Sequence, residues 1–278
     1  MLQVYYSTRG DTWKHKENWL IASENHCSWY GVKCNGDGKV TVLNLYGNRL
    51  SGTIPSTLAA LEALEHLSLG LNYQLTGTLP TQLGQLDSLE IINMWGNNLT
   101  GTLPTQLGQL KSLKSLELSL NQLTGSLPTQ LGDLGNLKEL WLHGNHLTGT
   151  LPMQLGQIKS LEQLSLSRNQ LTEMLPTQLG QLKSLESLDL FSNNFTGTLP
   201  TELGQLEYLE NLYLSFNQFN GALPTLGDLG NLNVLWLHNN QFNGKIPNAT
   251  CSNTNIHTIY ADASNCEASM AECCDIFY

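Results

Sequence analysis

The sequence predicts an α/β solenoid, and three observations predict it. The stretch LTGTLPTQLGQL, read from Leu75, returns identically from Leu99 and with small changes from Leu123, Leu147, Leu171 and Phe195. An asparagine precedes each copy, on a ladder of Asn48, Asn72, Asn97, Asn121, Asn145, Asn169, Asn193, Asn217 and Asn240. Its steps are 24, 25, 24, 24, 24, 24, 24 and 23 residues. Between ladder positions the apolar residues alternate, as Leu116 and Leu118 do with Glu117 and Ser119, which is the period of a strand. A period this regular belongs to stacked units, none of which can bury its apolar face alone.

Taken in order, each repeat reads LxxLxLxxNxLxGxLP, the pattern of a leucine-rich repeat. The alternating segment is a strand with leucines inward. Nine such strands about 4.8 Å apart make a parallel β-sheet roughly 40 Å long on the concave face. The asparagine turns the chain inward, and its amide satisfies backbone groups that would otherwise be buried unpaired at about 1–3 kcal/mol each. The glycine and proline of LTGTLP shape the next bend. The remainder, TQLGQLKSL and its copies, is expected as a short helical or irregular return segment.

Three parts follow: an N-terminal cap over residues 1–38, about nine repeats over 39–247, and a C-terminal cap over 248–278. In the first cap, Val4 to Ser7 and Trp13 to Ile21 have the spacing of short amphipathic helices, with Trp13 and Trp19 as core. In the last, Ile256, Ile259 and Ala261 keep strand spacing. Three irregularities interrupt the array. One is an extra residue after Asn72, the second Glu173 in place of the usual glycine, the third a missing residue after Asn217. Each is expected to be a tolerated loop change.

The formal charge is −10, from 13 basic and 23 acidic residues. That argues against nucleic acid or an anionic membrane surface as partner. No apolar run approaches the roughly 18 residues of a membrane span. The opening MLQVYYSTRGDTW lacks the apolar core of a signal peptide, so the numbering starts at a mature chain or within a longer one. The six cysteines lie in the caps alone: Cys27 and Cys34, then Cys251, Cys266, Cys273 and Cys274. Disulfide staples and an oxidising compartment are the expectation. A zinc site using Cys273, Cys274 and His257 is disfavoured, since adjacent cysteines have poor ligand spacing, and neither metal nor cofactor is expected. Sequons at Asn98, Asn194 and Asn248 agree with secretion.

The run YYSTRGDTWKHKENWL, then CSWYGVKC, then KVTVLNLYGNRLSGTIP resembles the cap and first repeat of plant-type extracellular leucine-rich repeat proteins. That family includes receptor-like kinase ectodomains, receptor-like proteins and polygalacturonase-inhibiting proteins. The resemblance covers roughly Tyr5 to Pro247, and the LxGxLP element marks the subtype. It implies an extracellular, right-handed superhelix that binds protein, peptide or glycan ligands, without catalytic residues.

Outward stations on the strands carry aromatic residues that core packing does not demand. Trp95, Trp141, Phe191, Tyr213 and Trp236, with Phe216 and Tyr260 nearby, are expected to form an exposed stripe for a ligand. Asp189, His143 and His238 share that face. The competing reading is that neighbouring rings merely stack along the sheet. Catalysis would need a base beside an activated nucleophile, or a carboxylate pair such as Glu117 and Glu139; neither pattern is developed, and no enzyme is expected. Two alternatives remain, a structural or adhesive component that assembles laterally, and an inhibitor of a cell-wall-degrading hydrolase.

Overall fold

The computed structural model describes residues 1–21, 25–226, 228–266 and 275–277, the last as backbone alone. Two compact units divide the chain, Met1–His146 and Leu147–Tyr278. Both are solenoid coils with one main sheet. In the first unit the main sheet starts with Val32–Cys34, antiparallel to Val40–Asn44. Parallel strands His66–Ser68, Ile91–Asn93, Ser115–Glu117 and Glu139–Trp141 follow. In the second unit the order is Gln163–Ser165, Ser187–Asp189, Asn211–Tyr213, Val234–Trp236, Thr258–Asp262 and Asp275–Phe277, all parallel. Register sets leucine against leucine, with Leu116 between Ile92 and Leu140, and all three are buried. Leu99, Leu103, Leu107, Leu110, Leu113, Leu116 and Leu118 make the buried core of one repeat, at about 1.5–3 kcal/mol per buried leucine.

The asparagine ladder fixes this stack. Asn121 donates from Nδ2 to the carbonyls of Met94 and Leu118, at 3.0 Å each, and its Oδ1 accepts from Leu99 N at 3.0 Å. Asn145 repeats the arrangement with Leu118, Leu142 and Leu123. One side chain thus serves its own turn and the turn before it. At the start, Asn48 exchanges two bonds with the His15 backbone. At the other end a carboxylate takes over, Asp262 accepting from Asn239 N at 2.9 Å and Asn240 N at 3.4 Å.

The LTG segments do more than bend. They form a second row of strands on the flank: Ser51–Thr53, Gln74–Gly77, Asn98–Gly101 and Gln122–Gly125 in the first unit. In the second unit they are Gln170–Glu173, Asn194–Gly197, Gln218–Gly221 and Gln241–Phe242. Their alternation explains it: Leu99 is buried between exposed Asn98 and Thr100, a period too short to stand out beside the leucine spacing. The return segments close as 3-10 turns, for example Thr105–Gln109 with Leu107 inside. Gly108 is obligatory there, because a side chain would collide with the carbonyl of Gln130 in the next repeat.

The caps depart from expectation in one place. Leu2–Ser7 is a helix, but Trp13 to Ile21 is not; Asn18 and Leu20 hold left-handed φ of 67° and 66°. The apolar spacing there serves a ring cluster instead. Trp13 and Trp19 are buried, 4.8 Å apart, and their indoles donate to the Thr8 and Tyr30 carbonyls. Cys27 and Cys34 form the expected disulfide, which closes a short loop at about 2.5 kcal/mol. His26 lies close to both sulfurs, but these are bonded to each other and are not free thiolates. Cys251 and Cys266 are also disulfide-bonded, whereas Cys273 and Cys274 lie outside the described residues.

Each irregularity has a local form. The residue inserted after Asn72 is Tyr73, 70% exposed. After Asn217, no 3-10 turn forms among the described residues between Gly221 and Val234. Glu173 adopts φ 66°, the left-handed conformation that Gly125 and Gly149 hold at 75° and 77°.

Two outcomes are expected. Asn145→Ala strands the amide of Leu123 and takes one donor each from the carbonyls of Leu118, which keeps Asn121 Nδ2, and Leu142, costing about 2 kcal/mol in chemical denaturation. His146→Ala, next door and exposed, costs under about 0.5 kcal/mol. Equal midpoints would show the ladder to be incidental. Glu173→Gly relieves a left-handed side chain and stabilises by about 0.5–1 kcal/mol, net of glycine's greater backbone entropy. A lower midpoint would contradict that.

Candidate functional site

In the second unit the strand register lines up Ser165, Asp189, Tyr213, Trp236 and Tyr260 across five adjacent strands. Each sits on the face opposite the core, because Leu188, Leu212, Leu235 and Ile259 turn inward beside them and are buried. Two residues on, Phe191, Ser215 and His238 make a second row. The rings meet edge to face. Tyr213 and Trp236 are 4.9 Å apart at 80°, Phe191 and Trp236 are 6.4 Å apart at 72°, and Phe191 and Phe216 are 5.2 Å apart at 66°. Tyr260 packs on both Trp236 and His238.

Polar groups frame the rings. Asp189 Oδ2 accepts from Ser165 Oγ at 2.9 Å and Ser167 Oγ at 2.6 Å, and Oδ1 accepts from Phe191 N at 3.1 Å. The Arg168 guanidinium lies 5.9 Å from the centre of the Phe191 ring. Trp236 Nε1 is buried and finds no acceptor among the described residues.

The first unit carries a sparser version. Tyr46 and Trp95 lean together at 6.3 Å over Gly70, where an added Cβ would sit 2.7 Å from Asn93 Oδ1. Trp141 contacts His143 at 6.3 Å. Thus Phe191, Tyr213, Trp236, His238 and Asp189 come together, while Trp95 and Trp141 each join a pair in the first unit.

The stripe is less open than its strand positions imply. Trp95, Trp141, Phe191, Tyr213 and Trp236 are half-buried, and Phe216 is the most exposed of the group at 47%. His238, expected on the surface, is only 4% exposed, because Phe216, Trp236 and Tyr260 cover it. Side chains on a sheet face shield one another when their neighbours are large. Sequence spacing alone did not reveal two serine–histidine pairs. Ser119 Oγ lies 2.9 Å from His143 Nδ1, and Ser215 Oγ 2.9 Å from His238 Nδ1. Their signal was a Ser and a His at one station of successive repeats. Neither pair is placed for nucleophilic attack, since Ser119 is 1% and Ser215 0% exposed. Glu117 and Glu139 act as structural acceptors, for Ser119 N and Ser115 Oγ. Arg168 was also missed; it holds the station immediately before the ladder Asn, as Phe216 does.

Of the sequon asparagines, Asn98 and Asn194 are exposed at the start of flank strands. Asn248 opens the helix Asn248–Cys251, in which Thr250 is buried and accepts from Leu226 N.

Burial raises the pKa of Tyr213, and the charge of Asp189 adds to it. Burial lowers that of His238, against opposing effects of Asp262 and a hydrogen bond to the Tyr260 backbone. A histidine held neutral in the fold favours folding above its unfolded pKa of about 6.5, and that contribution is lost as pH falls below it. The melting temperature should therefore drop on going from pH 7 to pH 5, and drop less in His238→Asn. An equal drop in both proteins would remove His238 as a source.

The sequence matches a family model described as Leucine rich repeat over residues 87–147 and 159–219, and a second, Leucine Rich Repeat, over 39–61 and 231–253. Together these cover more than half of the chain. Over 51 residues it is 43% identical to a probable leucine-rich repeat receptor-like serine/threonine-protein kinase of Arabidopsis thaliana, covering 18% of this chain and 7% of that one. Among solved structures, the plant peptide hormone receptor RGFR1 in complex with RGF2 is 35% identical with a TM-score of 0.77, over 81% of this chain and 36% of the receptor chain. A plant ice-binding protein is 26% identical with a TM-score of 0.71, over 96% of this chain and 93% of that one. The chain thus spans less than half the length of the receptors it matches. No described helix is long and apolar enough to cross a membrane. On its repeat pattern, its ladder and these matches, the chain belongs to the plant-type leucine-rich repeat proteins.

Proposed function

We propose that the chain is an extracellular recognition module that holds a peptide on the strand face of its second unit. Asp189, Phe191, Tyr213, Phe216, Trp236 and Tyr260 form the contact surface. The observation that carries this reading is the ring cluster itself. Leucines on the other side of the same strands already complete the core, so these rings do nothing for it. Contiguous aromatic surface of this kind supplies anchors for a partner. The likeness to a peptide hormone receptor supports a peptide as ligand, and the cap disulfides and sequons support an oxidising, secretory route. Trp95, and Trp141 with His143, are candidates for a separate contact in the first unit.

A second reading has one specific support, the match over nearly the whole length of a plant ice-binding protein. On that reading the flank threonines, Thr76, Thr100 and Thr124 in the first unit, would adsorb to ice.

The test uses the recombinant, disulfide-bonded chain to capture peptides from extracellular fluid, followed by calorimetry with the captured peptide. Phe216→Ala and Trp236→Ala are expected to weaken binding by about 2 kcal/mol or more, some thirtyfold. Phe216→Ala should cost under about 1 kcal/mol of stability, and Trp236→Ala about 1–2 kcal/mol because it loses several ring contacts. Unchanged affinity in both variants would sink the peptide site. Inhibition of ice recrystallisation that survives Trp236→Ala but not Thr100→Lys would select the second reading.

A further inference from the structure

Resting on that peptide reading, we infer that Asp189, Tyr213 and Trp236 form a subsite for a cationic side chain of the ligand, arginine or lysine. The three residues are neighbours in one row across adjacent strands, with the carboxylate at its edge and two rings beside it. Tyr213 and Trp236 stand nearly perpendicular at 4.9 Å, so they form a corner rather than a flat stack. Phe191, tilted 72° to Trp236, adds a third aromatic surface. Aromatic faces attract a desolvated cation, and a carboxylate within the same corner strengthens that preference.

Asp189 is built for this role. Its three internal partners, Ser165 Oγ, Ser167 Oγ and Phe191 N, are neutral donors that orient the carboxylate without cancelling its charge. A carboxylate offers about four acceptor positions, so one is left for a ligand. The ion pairs among the described residues are His15–Glu17 and Lys114–Glu90, neither of which involves it. The Phe191 ring beside this corner already has a cation near it, the Arg168 guanidinium, 5.9 Å from its centre. The field of Asp189 also reaches the rings, because it helps to raise the Tyr213 pKa. The formal charge of −10 draws basic ligands towards the chain and disfavours acidic ones.

The experiment compares three probes by NMR titration: acetyl-Gly-Arg-Gly-amide, its citrulline counterpart and its glutamate counterpart. Citrulline keeps the shape of arginine and removes the charge. The reporter is the Trp236 indole N–H signal, assigned by its loss in Trp236→Phe. The arginine probe is expected to shift that signal saturably and to bind at least about tenfold tighter than citrulline. Added salt should weaken it, and the glutamate probe should not bind. Asp189→Asn should bring arginine and citrulline to equal affinity, and Tyr213→Leu should weaken arginine binding with Asp189 still in place. Equal affinities for arginine and citrulline in the wild type, or a preference that survives Asp189→Asn, would overturn the cation subsite. So would the lack of any saturable shift with the arginine probe. Peptide binding as such is judged apart from this, by Phe216→Ala and Trp236→Ala on the captured peptide.

Discussion

Each repeat depends on one buried amide. Where the chain turns inward after a strand, it carries peptide groups into a space already full of leucine, and no water reaches them. The ladder asparagine supplies a donor pair and an acceptor at that point, joining its own turn to the previous one. Glutamine is too long and aspartate lacks the donors. With the turn fixed, the strand that leads into it has one register only, and a shift of one residue would turn every leucine outward. The stacking of Leu116 against its neighbours is thus a consequence of the ladder as much as of hydrophobicity.

That division of labour frees the other face. Because the inner side of each strand completes the core, the outer side can vary without loss of the fold. In the second unit those positions hold rings and a carboxylate oriented by two serines; in the first they hold mostly small polar residues, with Trp95 and Trp141 apart. The contrast between the units comes from their sequences and not from their backbones, which share one pattern. It is the reason to place recognition at Asp189, Tyr213 and Trp236.

The ladder, the inward leucines and the cap disulfide at Cys27 were legible in the sequence because each repeats or pairs in a way that admits few explanations. The strand face was legible as to direction and not as to exposure. His238 shows why: its station is outward, but Phe216 and Tyr260 from the neighbouring repeats and Trp236, two residues before it, close over it. The flank strands were hidden because Asn98, Leu99 and Thr100 are too few to display a period. Trp13 to Ile21 imitated a helix, since an aromatic cluster and an amphipathic turn both space apolar residues three or four apart.

The ladder ends differ from its rungs. His15 closes one side and Asp262 the other, each by a contact that no internal repeat makes. Within each unit the regular repeats present nearly the same surfaces to the repeat on either side. Genetic recombination between two such copies would therefore insert or excise a whole repeat of about 24 residues without creating a new kind of interface. Chain length can drift in this way while both termini stay sealed, and identical stretches such as those from Leu75 and Leu99 are the footprint that a recent duplication would leave.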